Sequence, residues 1–190
     1  MKRCFDVVLA IGSMIVFAIP VAIISLVIKL EGGGRVIFRQ ERIGLHGKPF
    51  ILLKFRSMHS NAEMKQDPQL CQDDDPRLTK VGAFLRTYHL DEFPQLWNIL
   101  VGDMSFVGYR PERKFYIDQI MQHDARYAQL YAMRPGIFSM ATLYNGYTDT
   151  MEKMLRRLEM DLEYLAHHSM AIDLKIIWLT STAILTGKKF

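Results

Sequence analysis

The sequence predicts an α+β fold that is mainly helical, with an N-terminal membrane helix, one short β-hairpin and amphipathic helices suited to an interface. Three observations carry that prediction. An uncharged run fills 7–28, two segments rich in β-formers flank a glycine-bounded turn at 44–48, and apolar residues recur at helical spacing through the C-terminal third. At 190 residues the chain fits one domain with room for a core.

The N-terminal run is long enough to reach through the hydrocarbon, which takes about 20 residues as helix. A secretory signal fits poorly, because the run is too long and resumes at Lys29, Glu31 and a glycine cluster rather than a small-residue cleavage site. A straight span and a re-entrant helix both remain. Pro20 breaks the run near its middle, removing an amide and opening a carbonyl near Val16, with Ser13 and Ser25 close enough to bond freed backbone groups. Lys2 and Arg3 precede the run and Lys29, Arg35 and Arg39 follow it, so the positive-inside rule draws both ends to one side.

Segments 35–43 and 49–57 read as the two hairpin strands. Lys54 and Arg56 fall two apart in the second, hence on one face, which suits either an anionic ligand or plain solvent. The polar stretch 59–76 reads as a loop. Its Asp73, Asp74 and Asp75 could attract a divalent cation, but consecutive carboxylates seldom converge on one ion, so a solvated loop is preferred. Residues 79–90 form a helix or turn that brings Arg86 towards Asp91 and Glu92.

The stretch 89–98 reads HLDEFPQLWN. Pro94 is tolerated in a first helical turn, so Asp91 is expected as the N-cap of a helix carrying Leu96, Ile99 and Leu100 and ending at Gly102. Two carboxylates at a helix start are either an ordinary acidic cap or a site that handles phosphate. Beyond it, Gly108 and Pro111 bracket Arg110 in a constrained turn, which fixes a guanidinium for phosphate or for a neighbouring carboxylate. A helix over 114–132 stops before Arg134, Pro135 and Gly136. The segment 137–147 is apolar and aromatic. Residues 149–152 form a capping box for a helix bearing Met151, Met154, Leu155, Leu158, Leu162 and Leu165, and 169–185 is expected to lie in an interface on a face of Ile172, Ile176, Leu179 and Ala183, with Asp173 and Thr180 turned away.

Composition narrows the partners. Lys and Arg total 24 against 20 Asp and Glu, and the resulting charge of +4 suits phosphates or anionic lipid but is too small to argue for nucleic acid. No aromatic-basic strand signature or zinc spacing occurs, so no nucleic acid is expected. Cys4 and Cys71 lie too far apart in sequence to form a redox motif, which favours a reducing, cytosol-facing environment.

Several motifs in order, Lys2-Arg3 with Phe5-Asp6, FRQER at 38–42, KFRSM at 54–58, Leu85-Arg86, LDE at 90–92 with PQLWN at 94–98, GDMS at 102–105 and RPGI at 134–137, resemble the bacterial sugar transferase family, the small monotopic phosphoglycosyl transferases. The resemblance runs from Lys2 to about Lys175. It implies a re-entrant helix turning at Pro20, with 1–31 as the membrane helix and 32–190 as a cytosol-facing catalytic unit, on the cytoplasmic face of the bacterial inner membrane and in contact with membrane lipid. It implies transfer of a sugar 1-phosphate from a UDP-sugar to polyprenyl (undecaprenyl) phosphate, with Mg2+, at the start of a glycoconjugate or exopolysaccharide pathway. Larger relatives carry extra N-terminal domains, so this chain resembles the minimal catalytic form; the resemblance admits a homodimer.

Carried over by position, Asp91 is the nucleophile that becomes an aspartyl-phosphosugar, Glu92 binds or positions magnesium, and Lys54, Arg56, Arg86, Arg110 and Arg134 are the candidate phosphate contacts. The pattern departs at Tyr109, where proline is common, at Ile19 and Ser57, and most over 138–142, which is read as an altered substrate-side surface. Two rival classes are a membrane-anchored interaction module without enzymatic activity and a metal-dependent lipid-diphosphate hydrolase using Asp73 to Asp75.

Overall fold

The computed structural model describes residues 1–32, 34–59, 75–146 and 148–186. Helices α1 (Lys2–Val16) and α2 (Ala18–Gly32) meet at Phe17 with a bend of 63°. The break falls three residues before Pro20, the expected hinge. Pro20 sits in the first turn of α2, where its missing amide deprives no helical carbonyl of a donor. Among the described residues no single helix is long and apolar enough to cross a membrane, while the bent pair passes on length and composition together. The pair keeps Asp6, Ala10 and Ile28 inside and leaves Ile15, Val16, Ile19, Leu26 and Leu30 uncovered.

Strands β1 (Ile37–Ile43) and β2 (Pro49–Phe55) form the expected antiparallel hairpin, from Ile37 opposite Phe55 to Ile43 opposite Pro49, around a 3-10 turn at Leu45–Gly47. Helix α3 (Lys80–Thr87) starts where the Thr79 hydroxyl accepts the Gly82 amide at 2.9 Å. Helix α4 (Gln95–Val101) ends at Gly102, whose φ of 102° needs a residue without a Cβ.

Two further strands, β3 (Ser105–Val107) and β4 (Gly136–Phe138), pair in parallel. At Gly136 the chains approach so closely that a Cβ would meet the Gly108 nitrogen at 2.1 Å. Between these strands the expected 114–132 helix divides in two. Helix α5 (Lys114–His123) stops at Asp124, which takes extended backbone and accepts the Arg126 amide at 2.9 Å, opening a 3-10 segment at Ala125–Ala132.

Helix α6 (Met140–Asn145) is capped by Ser139. Helix α7 (Met151–His167) is capped by Thr150, one residue beyond the start of the expected box, because the Thr150 hydroxyl accepts the Lys153 amide. Helix α8 (Met170–Leu185) shows a different face from the one expected. Asp173 and Thr180 are buried with Ile176 and Ala183, while Leu174 and Trp178 point outward. Asp173 turns inward because it pairs with the Lys2 amine and accepts the Tyr164 hydroxyl.

A central core joins Ala10 of α1, Leu52 of β2, Ile99 of α4, Phe106 of β3 and Ile176 of α8. Its neighbour gathers Tyr109, Ile117, Ile120, Leu130 and Leu158 around α5 and α7. The start of α1 is tied to this body by polar contacts. Arg3 donates to the Leu100 carbonyl at 2.9 Å, and Asp6 accepts the Ser105 hydroxyl at 2.9 Å and the Phe106 amide at 3.2 Å.

Candidate functional site

The two carboxylates lie between β2 and α4. His89 takes a left-handed φ of 53°, and its carbonyl accepts the Glu92 amide at 3.3 Å, winding Leu90–Glu92 into a separate 3-10 turn. Pro94 occupies the cap position of α4, so Asp91 stands ahead of that helix and is not its N-cap. The expected helix-start environment therefore gives way to side-chain charge as the main stabilising influence.

Lys54, at the end of β2, places Nζ 2.8 Å from Glu92 Oε1 and 3.6 Å from Asp91 Oδ2. Asn98 sets that height. Its side chain accepts the Leu53 amide at 3.1 Å and donates to the Ile51 carbonyl at 2.8 Å, fixing α4 against the strand one residue before Lys54. Arg110 approaches from the β3–α5 link, with Nη2 3.7 Å from Glu92 Oε1. Arg86 of α3 lies near enough to favour the Asp91 carboxylate.

The other two basic candidates engage main-chain carbonyls. Arg56, one residue beyond β2, donates its main-chain amide to the Val36 carbonyl at 2.8 Å, continuing the hairpin ladder, and its side chain donates to the Ile28 carbonyl of α2 at 2.8 Å. Arg134 donates to the Gly102 carbonyl at 2.7 Å, closing the end of α4.

The adjacent carboxylates have opposite acidities. Burial pushes Glu92 up, but Lys54, then Arg110 and His89, outweigh it and hold the carboxyl at about 2. Asp91 is raised above its ordinary value by burial first and by the Glu92 charge, against the pull of Lys54 and Arg86. Glu92 is thus a fixed anion, while Asp91 is the more basic oxygen nucleophile of the two. Burial also lowers His89, helped by Arg110 and Lys54 against the two carboxylates, which keeps its imidazole neutral at neutral pH.

Among the described residues no group of three or more His, Cys, Asp or Glu side chains gathers to cage a metal ion. The Asp91–Glu92 pair suits magnesium, which commonly takes one or two carboxylates and completes its shell with water and substrate phosphate. Asp73 and Asp74 lie outside the described residues. Asp75 is buried and paired with Arg77 at 2.5 Å, so it is not solvated as the loop reading expected.

A model of the family described as bacterial sugar transferase matches residues 1–187. The chain belongs to this family. It is 43% identical over 182 residues to the UDP-glucose:undecaprenyl-phosphate glucose-1-phosphate transferase of Escherichia coli K12, covering 95% of this chain and 39% of that protein. It is 41% identical over 187 residues to a transferase of the same name from Caulobacter vibrioides, covering 97% of this chain and 70% of that one. The exopolysaccharide production protein PSS of Rhizobium leguminosarum is 35% identical over 200 residues and is matched over 98% of its length.

In this chain two departures from the family pattern take part in packing. Tyr109 is fully buried, and the partly buried Phe138 and Met140 pack on the central core, so the altered 138–142 segment contributes to packing. Sequence reasoning assigned no role to His89 or Asn98, although both lie in the stretch that drew attention. It also passed over Glu112, Arg157 and Asp161, which form a buried network beneath Arg110.

Proposed function

We propose that this sugar transferase moves a sugar 1-phosphate from a UDP-sugar to undecaprenyl phosphate in two displacements at Asp91. The observation that carries the reading is the shared Lys54 between a strongly acidic Glu92 and a more basic, buried Asp91. The printed names of the relatives supply the donor and acceptor classes.

In the first displacement an Asp91 oxygen bonds to the sugar-bearing phosphorus, and the bond from that phosphorus to the bridging oxygen breaks. UMP leaves with the electron pair, and an aspartyl-phosphosugar remains. In the second, an acceptor phosphate oxygen bonds to the same phosphorus and the bond to Asp91 breaks, restoring the carboxylate and giving the polyprenyl-diphosphate-sugar. Two anions meet in each step, and Lys54, Arg86 and Arg110 offset that repulsion in a site with little water. Glu92, with Asp91, is the carboxylate set that would hold magnesium, which when bound neutralises phosphate charge.

The membrane part of the reading places 1–31 as a re-entrant hairpin in one leaflet and 32–190 on the cytoplasmic face of the inner membrane. It rests on the 63° bend and on the uncovered apolar residues of both arms. Trp178 and Leu174 of α8 then meet the headgroup region.

The test combines purified protein, magnesium, a panel of UDP-sugars and undecaprenyl phosphate, followed as UMP release. The expected result is acceptor-dependent turnover with one donor, and, without acceptor, a single-turnover release of UMP with a phosphosugar mass on the peptide containing Asp91. Release of inorganic phosphate without acceptor would instead indicate a hydrolase.

A further inference from the structure

Arg110 reaches Glu92 at the end of a long side chain, so its guanidinium position depends on how the main chain is held at residues 108–112. That segment is held from several sides. The Tyr109 carbonyl accepts the Gly136 amide at 2.9 Å, the Pro111 carbonyl accepts Arg42 Nη1 at 3.1 Å, and the Glu112 carbonyl accepts the Ile43 amide at 3.2 Å. The Glu112 carboxylate lies between Arg42 at 3.1 Å and Arg157 at 2.9 Å. Asp161 stands one helical turn after Arg157 on the same face of α7 and is 3% exposed. It accepts the Ser139 hydroxyl at 3.0 Å and the main-chain N–H of Arg110 itself.

We infer that Asp161 is a positioning residue for transfer, whose carboxylate grips the Arg110 amide and so aims the Arg110 guanidinium at the phosphate side of Glu92. The inference rests on the transferase reading of the site. Arg157 and Asp161 make one face of α7 a two-point clamp, the first holding residue 112 and the second residue 110. A buried carboxylate is an expensive way to satisfy one amide and one hydroxyl, and burial pushes Asp161 up to about 7 even with Arg157 nearby. An apolar contact would serve packing better. What the carboxylate adds is direction, because only an acceptor at that point fixes the peptide plane of Arg110.

The experiment compares Asp161→Leu and Asp161→Asn, each with Arg110 present and in an Arg110→Ala background, in the full-length protein. Asp161→Leu is expected to lower kcat/KM about 100-fold, the scale of a misplacement near 1 Å in a reacting site. Asp161→Asn keeps an acceptor oxygen and is expected to stay within about fivefold of the parent. In the Arg110→Ala background Asp161→Leu should cost less than about twofold, because a residue acting only through Arg110 has nothing left to aim. Equal losses in both backgrounds overturn the inference.

Hydrogen exchange read by mass spectrometry supplies a measurement independent of turnover. The peptide covering 105–113 should gain exchange at the Arg110 amide in Asp161→Leu while peptides of α7 stay protected. If Asp161→Leu is too unstable to purify, Ser139→Ala loosens the same carboxylate and should show a smaller loss that also vanishes without Arg110. Unchanged exchange in the 105–113 peptide overturns the clamp. Changed exchange in a protein that transfers nothing supports the clamp and overturns the transferase reading.

Discussion

Replacing Lys54 with Met tests the electrostatic heart of the site. Lys54 is the largest attraction holding Glu92 at about 2, well below its ordinary 4.5. At about 1.36 kcal/mol per pH unit, that difference corresponds to roughly 3 kcal/mol of stability at neutral pH, to which Arg110 and His89 contribute beside Lys54. The contribution is fully present above the unfolded value of 4.5 and is lost as the pH falls through about 2. The same linkage leaves roughly 1 kcal/mol of it at pH 3. Removing one partner of a buried pair typically costs about 3–5 kcal/mol, which agrees in scale. Lys54→Met should therefore be destabilised at pH 7, and its deficit against the parent should shrink by about 2 kcal/mol at pH 3. Denaturant titrations of both proteins in matched detergent micelles at the two pH values check this. A deficit of equal size at both would refute ion pairing as its cause and leave only lost packing of the lysine stem.

Asp91→Asn should abolish transfer and the phosphosugar adduct yet raise thermal stability at pH 8. Asp91 is a weaker acid in the fold than in the unfolded chain, so the stability of its protonated form is lost as pH rises, a cost the amide avoids; a lower melting temperature than the parent at pH 8 would contradict this. Arg56→Ala should cost about 1.5–3 kcal/mol through the lost charged bond to the Ile28 carbonyl, with donor KM unchanged, whereas a tenfold rise in KM at unchanged stability would make Arg56 a phosphate contact. For topology, a membrane-impermeant maleimide should reach Cys4, which is exposed, and an Arg39→Cys variant from the same side of sealed vesicles; opposite sides would mean a spanning helix.

Strong local periodicity made some elements legible. The hairpin alternates around a glycine-rich turn, and α7 repeats its apolar residues over four turns behind a capping threonine, so both emerged close to their observed bounds. Strands β3 and β4 are three residues each and pair across most of the intervening chain, too short to show a period of two. Strand parity put Lys54 and Arg56 on one face, but parity names no partners: Lys54 meets the two carboxylates, whereas Arg56 bonds the Ile28 carbonyl of α2. On α8 the charged Asp173 looked like a solvent residue because its partners, Lys2 at the far end of the chain and Tyr164 on the preceding helix, are brought to it only by the fold. Arg157 and Asp161 were hidden for the same reason, since charges on an amphipathic helix ordinarily mark its wet face.

Both arms of the bent helix pair are joined to the pieces that carry the carboxylates. Phe17, at the bend, packs against Phe93, one residue beyond Glu92, with ring centroids 4.7 Å apart and planes tilted by 45°. The last turn of α2 receives Arg56, two residues after Lys54, and Glu31 accepts the Val81 amide of α3 at 2.9 Å. At the other end Arg3 holds the final carbonyls of α4. The loop of Asp91 and Glu92, the strand of Lys54 and the helix of Arg86 therefore each have a neighbour on the bent pair. On the proposed placement of the bent pair in one leaflet, its depth would set the height of all three above the lipid together. The proposed lipid-borne acceptor would require that control, because a phosphate confined to the headgroup layer could not rise to a site set too high. The arrangement thus links the uncovered apolar surface of the arms to the chemistry of Asp91 through packing contacts that are already in place.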